Sequence, residues 1–196
     1  MSQLSLLSGL DSNQYKILYF DLETKKSAEE VGGWSNIKDM GMACGVLYDS
    51  EDDLYHVYLE DQVHEMIKHI KSADLIVGFN HIYFDYKVLT AYDNFNYNRL
   101  NNFDLLLDIE MLLGRRLKLD ALAKTTLKKQ KTADGLQSLQ WVKEGKIDQV
   151  IDYCKADVEV TKDLFLFGVE NNFILYPDRG QKAQLNVNWN IDKLVK

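Results

Sequence analysis

The order in which strand-like and helix-like segments follow one another constrains this chain most. Tyr15–Glu23 (YKILYFDLE), Gly41–Tyr48 (GMACGVLY) and Leu54–Leu59 (LYHVYL) are rich in β-branched and aromatic residues and read as strands. The Asp- and Ser-rich stretch Asp49–Asp53 joins the last two, as in an antiparallel hairpin. From there the pattern alternates. Val63–Ile70 places Val63, Met66, Ile67 and Ile70 at helical spacing, and Leu75–Phe79 (LIVGF) is a short apolar run suited to a buried strand. Tyr86–Tyr92 reads as a helix, Asn101–Leu107 as a short strand and Leu117–Leu127 as a helix, with an exposed loop over Lys128–Gly135. Ile147–Gly168 is the longest helical segment, with a stripe of Ile147, Val150, Ile151, Cys154, Val158, Thr161 and Phe165. Phe173–Tyr176 and Leu185–Trp189 read either as edge strands or as caps on the body. Hairpin strands followed by alternating strands and helices predict an α/β fold, a mixed sheet with helices on its faces.

Composition narrows the function classes. The 196 residues suit one domain, and a content of 46% hydrophobic and 27% charged residues excludes intrinsic disorder. No apolar run approaches the roughly 20 residues that span a bilayer, so no membrane partner is expected. Met1–Leu10 has no Lys or Arg ahead of its leucines, unlike a secretory signal. Cys44 and Cys154 are the only cysteines and form neither a disulfide framework nor a Cys-x-x-Cys pair, which points to a reducing, cytoplasmic setting. A net charge of −7 argues against a protein that coats nucleic acid and is compatible with an enzyme whose site is itself rich in carboxylates.

Three segments carry acids where apolar residues would be expected. In Ile17–Glu23, Leu18, Phe20 and Leu22 share one strand face, and Ile17, Tyr19, Asp21 and Glu23 share the other. Asp21 and Glu23 are therefore about 7 Å apart at the end of an apolar strand. Two like charges there repel unless a cation lies between them, and hard oxygen ligands suit Mg²⁺ or Mn²⁺. Asp-x-Glu recurs at Asp49, Asp108 and Asp157, but only the first copy follows a long strand-like run. The plain alternative is a solvated strand end. Asp85 closes Asn80–Asp85 (NHIYFD) just before a helix, where it serves as an N-cap, in a site, or as both at once. His81 has no partner at ligand spacing and receives no catalytic role. In the long helix, Tyr153, Asp157, Val160 and Leu164 share a row in which Asp157 is the sole charge. Asp157 is then either a boundary acid paired with a lysine or part of a site that Tyr153 also reaches. Four carboxylates and a tyrosine from three distant segments are what a two-metal phosphoryl-transfer centre requires.

Taken in order, the three segments resemble the exonuclease motifs of the DEDD superfamily of 3′–5′ exonucleases, in its tyrosine-containing (DEDDy) branch: Phe20-Asp21-Leu22-Glu23-Thr24, Asn80 to Asp85, and Tyr153-Cys154-Lys155-Ala156-Asp157. Phe103-Asp104-Leu105-Leu106, Lys118–Leu127, Asp134-Gly135-Leu136-Gln137 and Trp141–Asp157 resemble the YprB-like group of ribonuclease H-like domains, which occur alone or attached to helicases. The resemblance covers residues 15–170, leaving an N-terminal extension over 1–14 and a C-terminal tail over 171–196 that packs on the domain.

The resemblance implies a ribonuclease H-like fold, with a five- or six-stranded mixed sheet and helices on both faces. It implies hydrolysis of single-stranded DNA or RNA from the 3′ end to nucleoside 5′-monophosphates, with two Mg²⁺ or Mn²⁺ ions and a helicase as a further partner. By position, Asp21 bridges the ions, Glu23 and Asp157 hold the ion carrying the attacking water, Asp85 holds the other, and Tyr153 orients the water. Thr24 and Asn80 lie near the terminal nucleotide. Arg115, Arg116, Lys118, Lys124, Lys128, Lys129 and Lys131 form a basic cluster that either tracks a nucleic-acid backbone or solvates a helix and loop. Trp34, Tyr83 and Tyr86 either stack on bases or pack in the core and rim. Two other readings of the same scaffold are a non-catalytic module that docks nucleic acid or a helicase, and a different metal-dependent phosphotransfer enzyme such as a phosphatase or an endonuclease.

Overall fold

Strand β1 (Ile17–Thr24) is flanked on one side by an antiparallel neighbour, β2 (Met42–Asp49), and on the other by a parallel one, β4 (Leu75–Gly78). With β3 (Leu54–Leu59) beyond β2 and β5 (Asn102–Asp104) beyond β4, the sheet runs β3-β2-β1-β4-β5. The computed structural model describes residues 14–129 and 135–195. The expected N-terminal extension, apart from residue 14, and part of the Lys128–Gly135 loop lie outside the described residues.

The alternation in β1 divides the core in two. Leu18, Phe20 and Leu22 pack with Met42, Leu47 and Ile76 under helices α1 (Val63–Ile70) and α2 (Asp85–Leu89). Ile17 and Tyr19 pack with Cys44, Val46 and Val77 under the long helix α6 (Ile147–Asn171), which crosses β1, β2 and β4. Four shorter elements lie between α2 and α6 or follow β5 directly: α3 (Leu105–Leu113), α4 (Leu119–Leu122), a single π-helical turn over Ala123–Leu127, and α5 (Gly135–Lys143). Helices thus cover both faces, as expected, and the sheet has five strands.

Three local readings change. The Leu117–Leu127 helix breaks at Ala123 into a π-turn that stops at Lys128 in the left-handed region, φ 58°. Its Thr126 hydroxyl donates to Leu175 O at 2.6 Å and accepts from Leu175 N at 3.0 Å, so a tertiary bond shapes this turn. The expected strand over Asn101–Leu107 ends at Asp104, whose carboxylate caps α3 by accepting from Leu106 N and Leu107 N. The late segments β6 (Phe173–Asp178) and β7 (Gln181–Asn186) pair with each other in a two-stranded sheet, and neither is an edge of the main one.

Helix α6 overruns its expected end because Gly168 is a seat, not a stop. A Cβ at Gly168 would lie 2.1 Å from the ring of Trp189, which stacks on Phe165 with ring centroids 6.0 Å apart. The helix ends instead at Asn172, in the left-handed conformation that asparagine tolerates, with φ 59°. Trp189 and Val187 join the same core cluster as Tyr19 and Phe165. None of the described helices is long and apolar enough to cross a membrane.

Candidate metal centre

The half of the sheet formed by β1, β4 and β5 is parallel, so its three C-terminal ends open on one edge, where α/β sheets place ligand sites. Asp21 and Glu23 arrive there on the α6 face of β1. A register shift at Glu23/Thr24 pairs Glu23 with Cys44 and Thr24 with Met42, leaving Ala43 without an opposite residue. Bulges of this kind re-aim side chains beside functional sites.

From α6, buried Asp157 meets the two strand acids. Asp21, Glu23 and Asp157 each offer a carboxylate oxygen, and these oxygens lie within 4.8 Å of one another. Tyr153, one turn earlier on the same buried face, is 6% exposed and packs edge-on against Trp141 of α5, with centroids 6.4 Å apart. Two neighbours brace the acids. The fully buried Ser138 of α5 donates its hydroxyl to Glu23 Oε2 at 2.7 Å. The Cys154 thiol approaches Asp21 O at 3.4 Å and Asp21 Oδ2 at 3.5 Å, and burial pushes that thiol well above its ordinary pKa.

The donor set is all oxygen, half-buried and clustered. It fits a hard divalent cation, which would relieve the mutual repulsion of three carboxylates held this close.

Asp85 does not join that trio at the same spacing; it is tied to β1 at Leu22, between Asp21 and Glu23. It is the first residue of α2, following the N-cap position Phe84, and its carboxylate accepts its own N–H at the start of that helix. β1 loses its parallel partner at Phe20↔Gly78, and the Asp85 carboxylate replaces the missing strand, accepting Leu22 N–H at 3.0 Å. Asp85 thus serves the start of α2 and the end of β1 together, one position inside the expected N-cap. Burial raises the Asp85 pKa to about 7, against the lowering effect of the Leu22 and Asp85 N–H groups, and Asp104 pushes it further in the same upward direction.

The sequence pattern assigns no site role to Asp104 or His81. Asp104 accepts from Asn80 N at 2.8 Å and Ile82 N at 3.1 Å as well as capping α3, so it fixes the loop that delivers Asp85. His81 is fully buried, with Nε2 3.3 Å from Asn102 Oδ1 and Nδ1 3.5 Å from Asp104 Oδ2, and burial lowers its pKa. It has a partner in space that the sequence did not reveal, and its place is in the core. No local pattern could have found Ser138 either, because its partner lies in another element far along the chain.

The two expected nucleotide-side residues are part of the loop architecture. Thr24 is buried and its hydroxyl donates to Lys26 O at 3.0 Å. Asn80 adopts φ 68°, and its side-chain oxygen accepts from Arg116 at 2.7 Å. Of the basic cluster, Arg115 pairs with Asp178, Arg116 with Glu110, and Lys129 with Glu159 and Asp163. Lys118, Lys124 and Lys128 are exposed, and Lys131 lies outside the described residues. Tyr86 packs in the core between Phe20 and Tyr97, whereas Trp34 and Tyr83 are 70% and 53% exposed.

No protein-family model matches the chain, and no curated protein matches it. Among solved structures, the chain is similar to the family B DNA polymerase from the hyperthermophilic archaeon Pyrobaculum calidifontis, at 16% identity with a TM-score of 0.59. The match covers 79% of this chain and 25% of that one, so the likeness is to a quarter of the polymerase's length. At this identity the shared property is the fold, an α/β, ribonuclease H-like arrangement of a five-stranded mixed sheet and helices.

Proposed function

We propose that the chain is a DEDDy-type, metal-dependent 3′–5′ exonuclease that releases nucleoside 5′-monophosphates from single-stranded DNA or RNA. The observation that carries this reading is the convergence of Asp21, Glu23 and Asp157 on oxygens within 4.8 Å of one another, at the open edge of the parallel strands. Two Mg²⁺ or Mn²⁺ ions would, when bound, activate the attacking water and offset charge on the leaving oxygen.

Asp21 is assigned as the ligand shared by both ions. Glu23 and Asp157 would hold the ion on the water side, and Asp85 would hold the other, directly or through water. Ser138 holds the Glu23 carboxylate by its hydrogen bond. Tyr153, on the same face of α6 as Asp157, orients the water through its hydroxyl. Trp34 and Tyr83 remain on the surface, where a base can stack on them.

The test is incubation with end-labelled single-stranded DNA and RNA in Mg²⁺, Mn²⁺ or EDTA, using free and blocked 3′ ends. Stepwise shortening from free 3′ ends only, abolished by EDTA, is the expected result. Cleavage of blocked strands would instead mark an endonuclease. Metal and strand binding without cleavage would mark a docking module.

A further inference from the structure

We propose a second metal site, built from Asp49, His56 and His69, that takes one Zn²⁺-class ion. It is remote from the acid centre. Leu47 packs on the α1 side of the sheet and pairs with His56, and Asp49 follows two residues later on the same face. Asp49 pairs with Leu18, near the opposite end of β1 from Glu23, roughly 15 Å along the strand. His69 comes down from the last turn of α1.

The three side chains offer ligand atoms within 4.8 Å of one another. The two imidazole rings meet edge to face, with centroids 4.8 Å apart. Each imidazole has one nitrogen held by an oxygen outside the trio. The Tyr58 hydroxyl lies 2.8 Å from His69 Nδ1, leaving Nε2 facing Asp49 Oδ2 at 2.7 Å. Asp52 Oδ2 lies 2.8 Å from His56 Nε2, leaving Nδ1. Metal-binding histidines carry this kind of outer partner, which fixes the tautomer and the ring orientation.

Two imidazoles and one carboxylate select Zn²⁺ or Co²⁺ over Mg²⁺ and Mn²⁺, which prefer oxygen. Lys16 Nζ, 2.9 Å from Asp49 Oδ2, supplies the positive charge in the metal-free chain, and Glu51, 3.0 Å from the same ammonium, keeps it paired when an ion enters. An ion here would tie β2, β3 and α1 together, so it acts on stability.

The experiment is Zn²⁺ titration by calorimetry and thermal unfolding, with Co²⁺ absorption as a ligand-field readout. The Asp21→Asn chain serves as the parent so that the acid centre does not compete. The expected result is one Zn²⁺ per chain and a melting temperature higher by about 5–10 °C at a hundredfold excess over the dissociation constant. His56→Gln and His69→Gln, each introduced into that parent, should weaken Zn²⁺ binding at least tenfold. Introduced into the wild-type chain, they should leave Mn²⁺ binding unchanged. Should His69→Gln fail to fold, His56→Gln, with its side chain 30% exposed, decides alone. Zn²⁺ affinity equal to the parent's in the folded His56→Gln chain, or no Zn²⁺ bound at micromolar concentration, overturns the proposal.

Discussion

Asp49 and Asp85 are equally buried, each 2% exposed, yet they are driven in opposite directions. For Asp49 the largest single influence is burial, which raises its pKa. Hydrogen bonds from His69, Glu51 N–H and Lys16, with the Lys16 charge, outweigh that and hold it below the ordinary value. Asp85 has backbone donors only, with Asp104 nearby, and burial prevails, pushing it to about 7. Burial alone therefore does not say what a carboxylate is for. The donors around it do: His69, Lys16 and the Glu51 N–H keep Asp49 ionised, while Asp85, with backbone donors alone, holds its proton up to about pH 7.

The sharpest way to break this contrast is Asp21→Ala. It should cut 3′-end hydrolysis by about 10³-fold or more, a loss of roughly 4 kcal/mol in transition-state stabilisation. The fold should persist, and the melting temperature should hold or rise as repulsion among the three acids falls. Wild-type degradation of a labelled 3′ end by this variant would remove Asp21 from the site.

Next in size is the pH response of the metal-free protein. Asp85 binds its proton more tightly folded than unfolded, so its contribution is fully present below about pH 4 and is lost as pH rises towards 7. The range is up to about 4 kcal/mol. Denaturant unfolding at pH 5 and pH 8 should show this loss, Asp85→Asn should remove it, and Mn²⁺ should flatten it. A wild-type slope unchanged in Asp85→Asn would assign the effect elsewhere.

Asp49 runs the other way. Its contribution is present above the unfolded carboxylate pKa and is lost as pH falls through its lowered folded value. Asp49→Ala should cost about 3 kcal/mol at neutral pH, by stripping Lys16 and His69 of their buried partner, with activity per folded molecule unchanged. Calorimetry and the nuclease assay check the two halves separately.

The smallest effect is expected from Tyr153→Phe. It should slow the chemical step by about tenfold to a hundredfold while Mn²⁺ affinity stays the same, because its hydroxyl is assigned to water. Parallel losses in rate and metal affinity would contradict that role.

Much of this was legible in the chain because it rests on local periodicity. The alternation of β1 put Leu18, Phe20 and Leu22 on one face and Asp21 and Glu23 on the other, and the two core clusters divide the same way. The lone acid in the Tyr153–Leu164 row does face buried structure. What stayed hidden depends on contacts made across the fold. The π-turn at Ala123–Leu127 answers to Leu175, the role of Asp85 depends on where β4 stops, and Ser138 meets Glu23 from a separate helix. The same holds for His56 and His69. They look isolated in sequence, and only the β2–β3 register and the last turn of α1 bring them together.

The seat of Trp189 on Gly168 has a consequence for synthesis. Helix α6 carries Tyr153 and Asp157, but part of the packing around Phe165 and Gly168 comes from residues made after it. On a ribosome, that helix would emerge with Phe165 already able to pack on Tyr19 and Phe103 but not yet covered by Trp189. The Gly168 end of the helix would then stay uncovered until residues 187–189 were made, so the last part of the core to close is built from the end of the chain.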